Sequence, residues 1–124
     1  MAYRTKDVRT AELNLVAYNE RTGGDAATHH TVGDIRTQRG DSAGARKSYE
    51  NALAAHLRKP DQSFSGRLAK ASLLQRLQRH SDAKHLYEEL LAERPTDQNL
   101  RADYAAMLLD LGQVRGARAL LETR

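Results

Sequence analysis

Apolar and small residues recur along the chain at spacings of three and four positions, and short polar or glycine-containing breaks separate these stretches. The clearest example is residues 40–53, where a glycine turn is followed by Ala45, Tyr49 and Ala52. Residues at this spacing share one face of a helix, and alanine lets that face approach a neighbouring helix closely. Residues 32–39 carry a second helical pattern that leads into the same turn. Helix, turn and helix is therefore the predicted unit of the chain.

The breaks in this pattern predict seven helices. The first covers residues 7–21 and has one mainly apolar face, made up of Val8, Ala11, Leu15 and Tyr18. Pro95 marks a later break, because the residue before a proline disfavours the helical conformation. The remaining helices are predicted at residues 26–39, 42–58, 64–80 and 82–93, with a final pair on either side of Gly112.

The helical pattern repeats with a period of 34 residues, which lengthens to 38 between the second and third copies. A period of this length is typical of stacked helical repeats. Alanine recurs near the start of alternate predicted helices, as Ala11, Ala45, Ala83 and Ala117. Tyr49 and Tyr87 follow four positions later in their copies, so we predict that they pack in the core and do not bind a ligand. Gly40 and Gly112 occupy the turn of their copies, and Gln78 stands at this position in the middle copy.

These residues resemble the tetratricopeptide repeat family. One block, Gly-Asp-x-x-x-Ala-x-x-x-Tyr-x-x-Ala-Leu at residues 40–53, carries much of the resemblance. A second block consists of Ala83, Tyr87, Leu90, Leu91 and Pro95. The chain departs from the family pattern at the aromatic position of the first helix, where it has His29, Arg67 and Arg101. The resemblance implies an all-α fold in which antiparallel helix pairs form a right-handed superhelix.

The resemblance covers residues 7–124 and implies a single repeat domain. The predicted parts are an orphan capping helix at residues 7–25, a first repeat at 26–63, a second at 64–97 and a truncated third at 98–124. The four residues that lengthen one interval fall at 60–63 in the first repeat, and four residues correspond to about one helical turn.

The two ends of a repeat stack need covering helices with polar outer sides. We expect the helix at residues 7–21 to serve this purpose, with Glu12 and Asn14 on its water-facing side. At the other end, residues 113–124 close on Ala117, Leu120 and Leu121, which leaves an apolar edge. We therefore expect that the chain is a piece of a longer protein, or that it self-associates through this C-terminal helix.

The resemblance also implies a concave groove, lined by the first helix of each pair, that binds a segment or helix of a protein partner. Repeats that grip C-terminal carboxylates do so with lysines and asparagines, and Asp34 and Asp103 stand at such positions, so this subclass is not expected. The groove-facing positions in this sequence are His30, Asp34, Thr37, Gln38, Ser65, Leu68, Ser72, Gln75, Arg76, Asn99, Ala102, Ala106, Leu109 and Asp110.

Composition narrows the classes of partner. The 20 basic and 16 acidic residues give a net charge of +4, which would suit nucleic acid, but acids are interspersed among the cations and no basic stripe with aromatic residues appears. We therefore do not expect nucleic acid as the partner. With no cysteine the chain forms no disulfide, and no apolar run is long enough to span a membrane. The compartment stays open: cytoplasmic, or periplasmic if the chain comes from an exported protein.

Residues with catalytic or metal-binding chemistry do not form a known pattern in this sequence. His30 and Asp34 lie one helical turn apart, but the other histidines lie on other predicted helices and no thiolate is present, so no metal or cofactor is predicted. No nucleotide-binding loop or nucleophile motif occurs, and we predict that the chain is not an enzyme. An alternative is a substrate-recruiting arm of a larger enzyme. The arginine- and alanine-rich composition resembles bacterial export and envelope-assembly scaffolds.

Overall fold

The computed structural model describes residues 5–122, with side chains described from Val8 onward. Within this range the chain forms seven α-helices and no strand, which confirms the predicted all-α class. The helices are α1 (Thr5–Thr22), α2 (Ala26–Gln38), α3 (Ser42–Arg58), α4 (Phe64–Arg76), α5 (His80–Glu93), α6 (Gln98–Asp110) and α7 (Val114–Glu122).

Side chains that precede the helices account for most of the starting points. Asp25, Asp41, Ser63 and Asp97 each cap a helix, accepting a hydrogen bond from a backbone N–H in its first turn. Such a bond satisfies one of the donors that a helix start leaves without a partner. The α5 helix begins after Arg79 without a side-chain cap, two residues before its predicted start.

The first helix of each pair ends in the same kind of turn. In the α4–α5 pair this turn makes α4 shorter than predicted. The predicted helix ran to residue 80, whereas α4 ends at Arg76. Gln78 has a φ of 64°, and the N–H groups of Gln78 and Arg79 bond back to the carbonyl groups of Gln75 and Leu74. This is the Schellman arrangement that ends helices, and the turns at Gly40 and Gly112 repeat it. Gln78 therefore takes the conformation that glycine takes in the other two copies.

The helices fall into two compact units that divide after Pro60. In the first unit, α2 packs extensively against α3, and α1 packs against α2. In the second unit, α4 pairs with α5 and α6 pairs with α7, while α6 also contacts both α5 and α4. The assignment of residues 7–124 to one domain stays a prediction.

Small residues and tyrosines in the repeated register form the centre of the helix pairs. Ala45, Ala83 and Ala117 are 4%, 0% and 1% exposed, which confirms their predicted burial. Tyr49 and Tyr87 are also buried, which confirms the prediction that they belong to the core. The absence of larger side chains at the alanine positions allows the helices of each pair to approach closely.

The orientation of α1 differs from the prediction. Ala11 and Tyr18, expected on its packing face, are exposed. Glu12, expected to face water, is only 8% exposed. Its Oε2 accepts hydrogen bonds of 3.0 Å from Arg36 and from Arg39, and its Oε1 lies 2.8 Å from Nε of Arg39. The two arginines on α2 and its C-cap therefore draw the charged side of α1 inward, which apolar periodicity could not indicate.

Candidate partner-binding faces on the first helices

We call α2, α4 and α6 the first helices and α3, α5 and α7 the second helices, following their order in each pair. The residues predicted to line a groove all lie on the first helices or at their ends, and none of them is buried. Those of α2 belong to the first compact unit, and those of α4 and α6 belong to the second. Each unit therefore presents its own accessible first-helix face.

The α2 face is organised around the buried ring of Tyr49. The Tyr49 hydroxyl donates a 2.6 Å hydrogen bond to Oδ1 of Asp34 and lies 3.1 Å from Oγ1 of Thr37. The ring of His30 meets the Tyr49 ring edge-on, with centroids 5.8 Å apart, and His30 Nε2 lies 3.8 Å from Oδ2 of Asp34. Gln38, at the end of α2, is exposed. Asp34 thus supports the core as well as contributing to the accessible face.

The α4 face combines exposed and half-buried polar side chains. Ser65 and Arg76 are exposed, while Leu68, Ser72 and Gln75 are half-buried. Oε1 of Gln75 accepts a 2.8 Å hydrogen bond from the hydroxyl of the buried Tyr87 on α5. A core tyrosine therefore fixes a polar side chain on this face, as another does on α2. Burial, the largest cause, raises the pKa of Tyr87 and keeps the hydroxyl protonated as a donor.

The α6 face is the most accessible of the three. Exposed residues recur on it at helical spacing: Asn99, Ala102, Asp103, Ala106, Leu109 and Asp110. Leu109 is 50% exposed although it is a large apolar residue. Partial burial raises the pKa of Asp103; Arg76 on α4 opposes this rise, and Asp97 adds to it. Asp103 therefore lies close enough to both residues to interact electrostatically with them.

Sequence reasoning missed the structural role of two arginines that replace the family's first-helix aromatic residue. Arg101 is only 6% exposed, and its guanidinium donates to the carbonyl oxygens of Leu120, at 2.8 Å, and of Pro95. Arg67, 34 residues earlier, pairs with Glu93 of α5. Each arginine therefore ties a first helix to its second helix, where an aromatic side chain would do so by apolar packing. Arg67 and Arg101 occupy equivalent positions in successive repeats, and this repetition was the sequence signal that could have pointed to a shared structural role.

A cavity of about 340 Å³ lies in the first unit, on another side of α2 from the predicted face. All three helices of that unit line it, with Val16, Asn19, Glu20, His29, Val32, Arg36, Lys47, Ser48 and Asn51. Charges of both signs occur in this set. None of the residues predicted to face the groove lines the cavity, so the two features are separate.

Neither a metal site nor a membrane span is found in the part of the chain that the structure describes. No group of three or more histidine, cysteine or acidic residues there could hold a metal ion, and His30 and Asp34 remain a pair. None of the described helices is both long and apolar enough to cross a bilayer.

Comparison with known proteins supports the helical repeat. Residues 74–124 match the family model described as tetratricopeptide repeat. The matched stretch begins in the last turn of α4 and includes α5, α6 and α7. Among curated proteins, none is similar enough in sequence to count as a relative.

Proposed function

We propose, from the premise that residues 74–124 match the tetratricopeptide repeat family, that the chain is a protein-interaction module without catalytic activity of its own. Repeats of this family generally mediate binding between proteins and are typically non-catalytic. In our proposal a partner binds, as an extended segment or a helix, against a first-helix face within one unit: that of α2 in the first unit, or those of α4 and α6 in the second. The composition supports a narrower version in which the module serves a bacterial export or envelope-assembly protein.

The accessibility of the first-helix faces carries this proposal. Every residue predicted to line the groove is exposed or half-buried, whereas the opposite sides of the same helices place Val32, Leu73 and Leu100 in the core. In a helical repeat, the surfaces that neighbouring helices leave uncovered are the ones available to a partner. Mixed polar groups on such surfaces supply hydrogen bonds and charges that can discriminate between partners.

Contacts with the core reduce the cost of binding on these faces. The hydroxyl groups of Tyr49 and Tyr87 hold Asp34 and Gln75 in place before any partner arrives. A side chain that is already ordered loses little conformational entropy when it binds. The faces therefore support recognition with little rearrangement of the helices.

Site-specific photo-crosslinking tests the location of binding. A photoreactive phenylalanine would replace Ser65 on α4 or Ala106 on α6, and in control chains it would replace Glu50 on α3 or Lys84 on α5; all four positions are exposed. We expect the same partner to crosslink at the two first-helix positions and not at the controls. Crosslinking of that partner only at the second helices would contradict the proposal.

A steric variant then measures the energetic importance of the face. Ala106→Trp adds a large side chain to the exposed side of α6, and Ala92→Trp makes the same change on the exposed side of α5. We expect Ala106→Trp to weaken binding of the purified partner at least about tenfold, which is about 1.4 kcal/mol, while Ala92→Trp leaves it unchanged. Circular dichroism must show equal helix content in both variants. Charge reversal at Asp34 would be a poorer test, because Asp34 also supports Tyr49.

A further inference from the structure

The α6 face differs from the chain as a whole in its charge. The chain carries a net charge of +4, yet the only charged residues among the exposed positions of this face are Asp103 and Asp110. Their seven-residue separation corresponds to about 10 Å along the helix axis. Arg101, the one cation within α6, is buried and directed to the carbonyl groups of Pro95 and Leu120.

An apolar strip runs beside these two carboxylates. Ala102, Ala106 and Leu109 are all exposed and lie three or four residues apart, so they share one side of the helix. The two alanines allow the main chain or a helix of a partner to come close. Leu109, which is 50% exposed, offers a large apolar contact next to Asp110. A partner that fills this face must therefore combine apolar groups with groups that satisfy carboxylates.

Asp103 interacts electrostatically with residues of both signs in the second unit. Its surroundings remove part of its hydration, and this partial burial raises the pKa of the carboxyl group. Arg76 on α4 stabilises the carboxylate but does not offset this effect, and Asp97 at the start of α6 adds repulsion. The hydroxyl of Tyr87 on α5 is near enough for the Asp103 charge to raise its pKa. A further cation from a partner would stabilise the Asp103 carboxylate.

We propose that the α6 face selects a cationic, partly apolar segment of a protein partner, with a lysine or arginine beside Asp103 and apolar residues against Ala102, Ala106 and Leu109. This inference rests on the proposed binding function and adds the chemical class of the partner. The positive charge of the whole chain repels such a segment. A preference for it must therefore come from this local surface and not from the overall field.

Two fluorescently labelled peptides that share one sequence pattern test this selection by fluorescence anisotropy. Both contain leucine and alanine at fixed positions, and the remaining positions are lysine in one peptide and glutamate in the other. We expect the intact chain to bind the lysine peptide at least about tenfold more tightly, which is about 1.4 kcal/mol. Equal or tighter binding of the glutamate peptide would overturn the proposal, and so would the absence of lysine-peptide binding at millimolar concentration.

Matched variants place the selectivity on α6. Asp103→Asn removes the charge at the proposed contact, and Asp82→Asn removes an exposed carboxylate in the first turn of α5. We expect a loss of about two- to fivefold in lysine-peptide affinity for Asp103→Asn, in the range measured for exposed charge pairs, and no change for Asp82→Asn. Equal effects of the two variants would show a diffuse charge effect and overturn the proposal. Crosslinking of an acidic partner on α6 would also overturn it, but would leave the proposed binding function in place.

Discussion

Gln78 adopts a backbone conformation that most side chains avoid. Its φ of 64° matches the glycine turns at Gly40 and Gly112, whose φ values are 81° and 76°. The left-handed region costs a residue with a Cβ roughly 1–2 kcal/mol, and the hydrogen bonds of Gln78 and Arg79 to α4 hold the turn in place nevertheless. The turn geometry that the first and third copies build with glycine therefore also occurs in the middle copy, where glutamine stands in its place.

Gln78→Gly should therefore stabilise the second unit. Relief of the positive φ is expected to raise the free energy of unfolding by about 1 kcal/mol and the Tm by a few degrees, about 3–5 °C. The matched control is Gly112→Ala, because a Cβ there would meet no atom within 4 Å and only the positive φ opposes it. This control should lower stability by a similar amount in thermal and urea unfolding. If the Gln78→Gly chain is less stable than the parent, the positive φ of Gln78 does not destabilise the second unit.

At the scale of single residues, the chain also replaces apolar contacts with directed polar ones. Arg101 occupies a buried position and satisfies its guanidinium with the carbonyl groups of Leu120 and Pro95. Tyr104 donates a 3.0 Å hydrogen bond to Glu88 and stacks on Tyr87 with ring centroids 5.3 Å apart. Burial, followed by the contact with Glu88, raises the pKa of Tyr104 to about 12. These bonds fix the orientation of each helix relative to its neighbour within the second unit.

Among the elements, α1 contacts its neighbours through a buried charge as well as through half-buried apolar residues such as Leu15 and Val16. Leu13 and Tyr18 on this helix remain exposed, whereas Glu12 is buried against Arg36 and Arg39. Arg36 is further fixed by a 2.9 Å hydrogen bond to Oγ of Ser48 on α3. A hydrogen-bonded group with a formal charge contributes more than a neutral one, about 1.5–3 kcal/mol. The Glu12 carboxylate therefore joins α1 to the α2–α3 pair.

Glu12→Gln should weaken this attachment in a pH-dependent way. Burial disfavours the Glu12 charge, but the hydrogen bonds and charges of Arg36 and Arg39 outweigh it and lower the pKa below the ordinary value of 4.5. A lowered pKa in the folded state contributes stability above the unfolded value, and this contribution is lost as the pH falls through the folded value. We expect the parent to exceed the variant by about 1–3 kcal/mol near pH 7 and this difference to shrink below about pH 4.5.

Urea unfolding of both chains at several pH values, followed by circular dichroism, measures this difference. Glu20→Gln is the control, because Glu20 is an exposed carboxylate on the same helix. The control should differ little from the parent at any pH. A Glu12→Gln difference that stays constant between pH 7 and pH 3 would show that the charge of Glu12 does not hold α1.

At the scale of the whole molecule, exposed large apolar residues concentrate near the end of the described chain. Leu111, Val114 and Leu121 are 38%, 51% and 59% exposed. Leu121 has the register position of Tyr87, which is fully buried where α5 packs on α6. The corresponding surface of α7 lacks such a cover among the described helices. Exposed apolar surface of this kind typically forms a contact between molecules.

We therefore expect the isolated chain to self-associate through this surface. Light scattering over a range of concentrations should show the parent shifting from monomer to dimer, and Leu121→Glu should remain monomeric. Leu57→Glu on α3 is the matched control, since Leu57 is 64% exposed and lies outside the surface. It should associate as the parent does. A parent that stays monomeric at millimolar concentration would rule out this contact.

Much of the helical architecture follows from the sequence because its causes are local. The predicted bounds of α3 match the observed Ser42–Arg58, since a glycine turn, an aspartate cap and a regular apolar spacing all lie within that stretch. Ala45, Ala83 and Ala117 are buried as predicted, because the same residue at the same place in successive repeats meets the same packing requirement, whereas Ala11 on α1 is exposed. The candidate groove positions are likewise all accessible, although their binding function stays a prediction.

Tertiary structure decided the features whose causes lie far apart in the sequence. The rotation of α1 depends on Glu12 meeting arginines 24 and 27 residues away, and the burial of Arg101 depends on a carbonyl group 19 residues away. Gln78 takes a glycine-like turn because the packing of the α4–α5 pair outweighs its own preference. The periodicity of apolar residues indicates which residues share one side of a helix, whereas long-range charge pairing and packing determine which side faces the core.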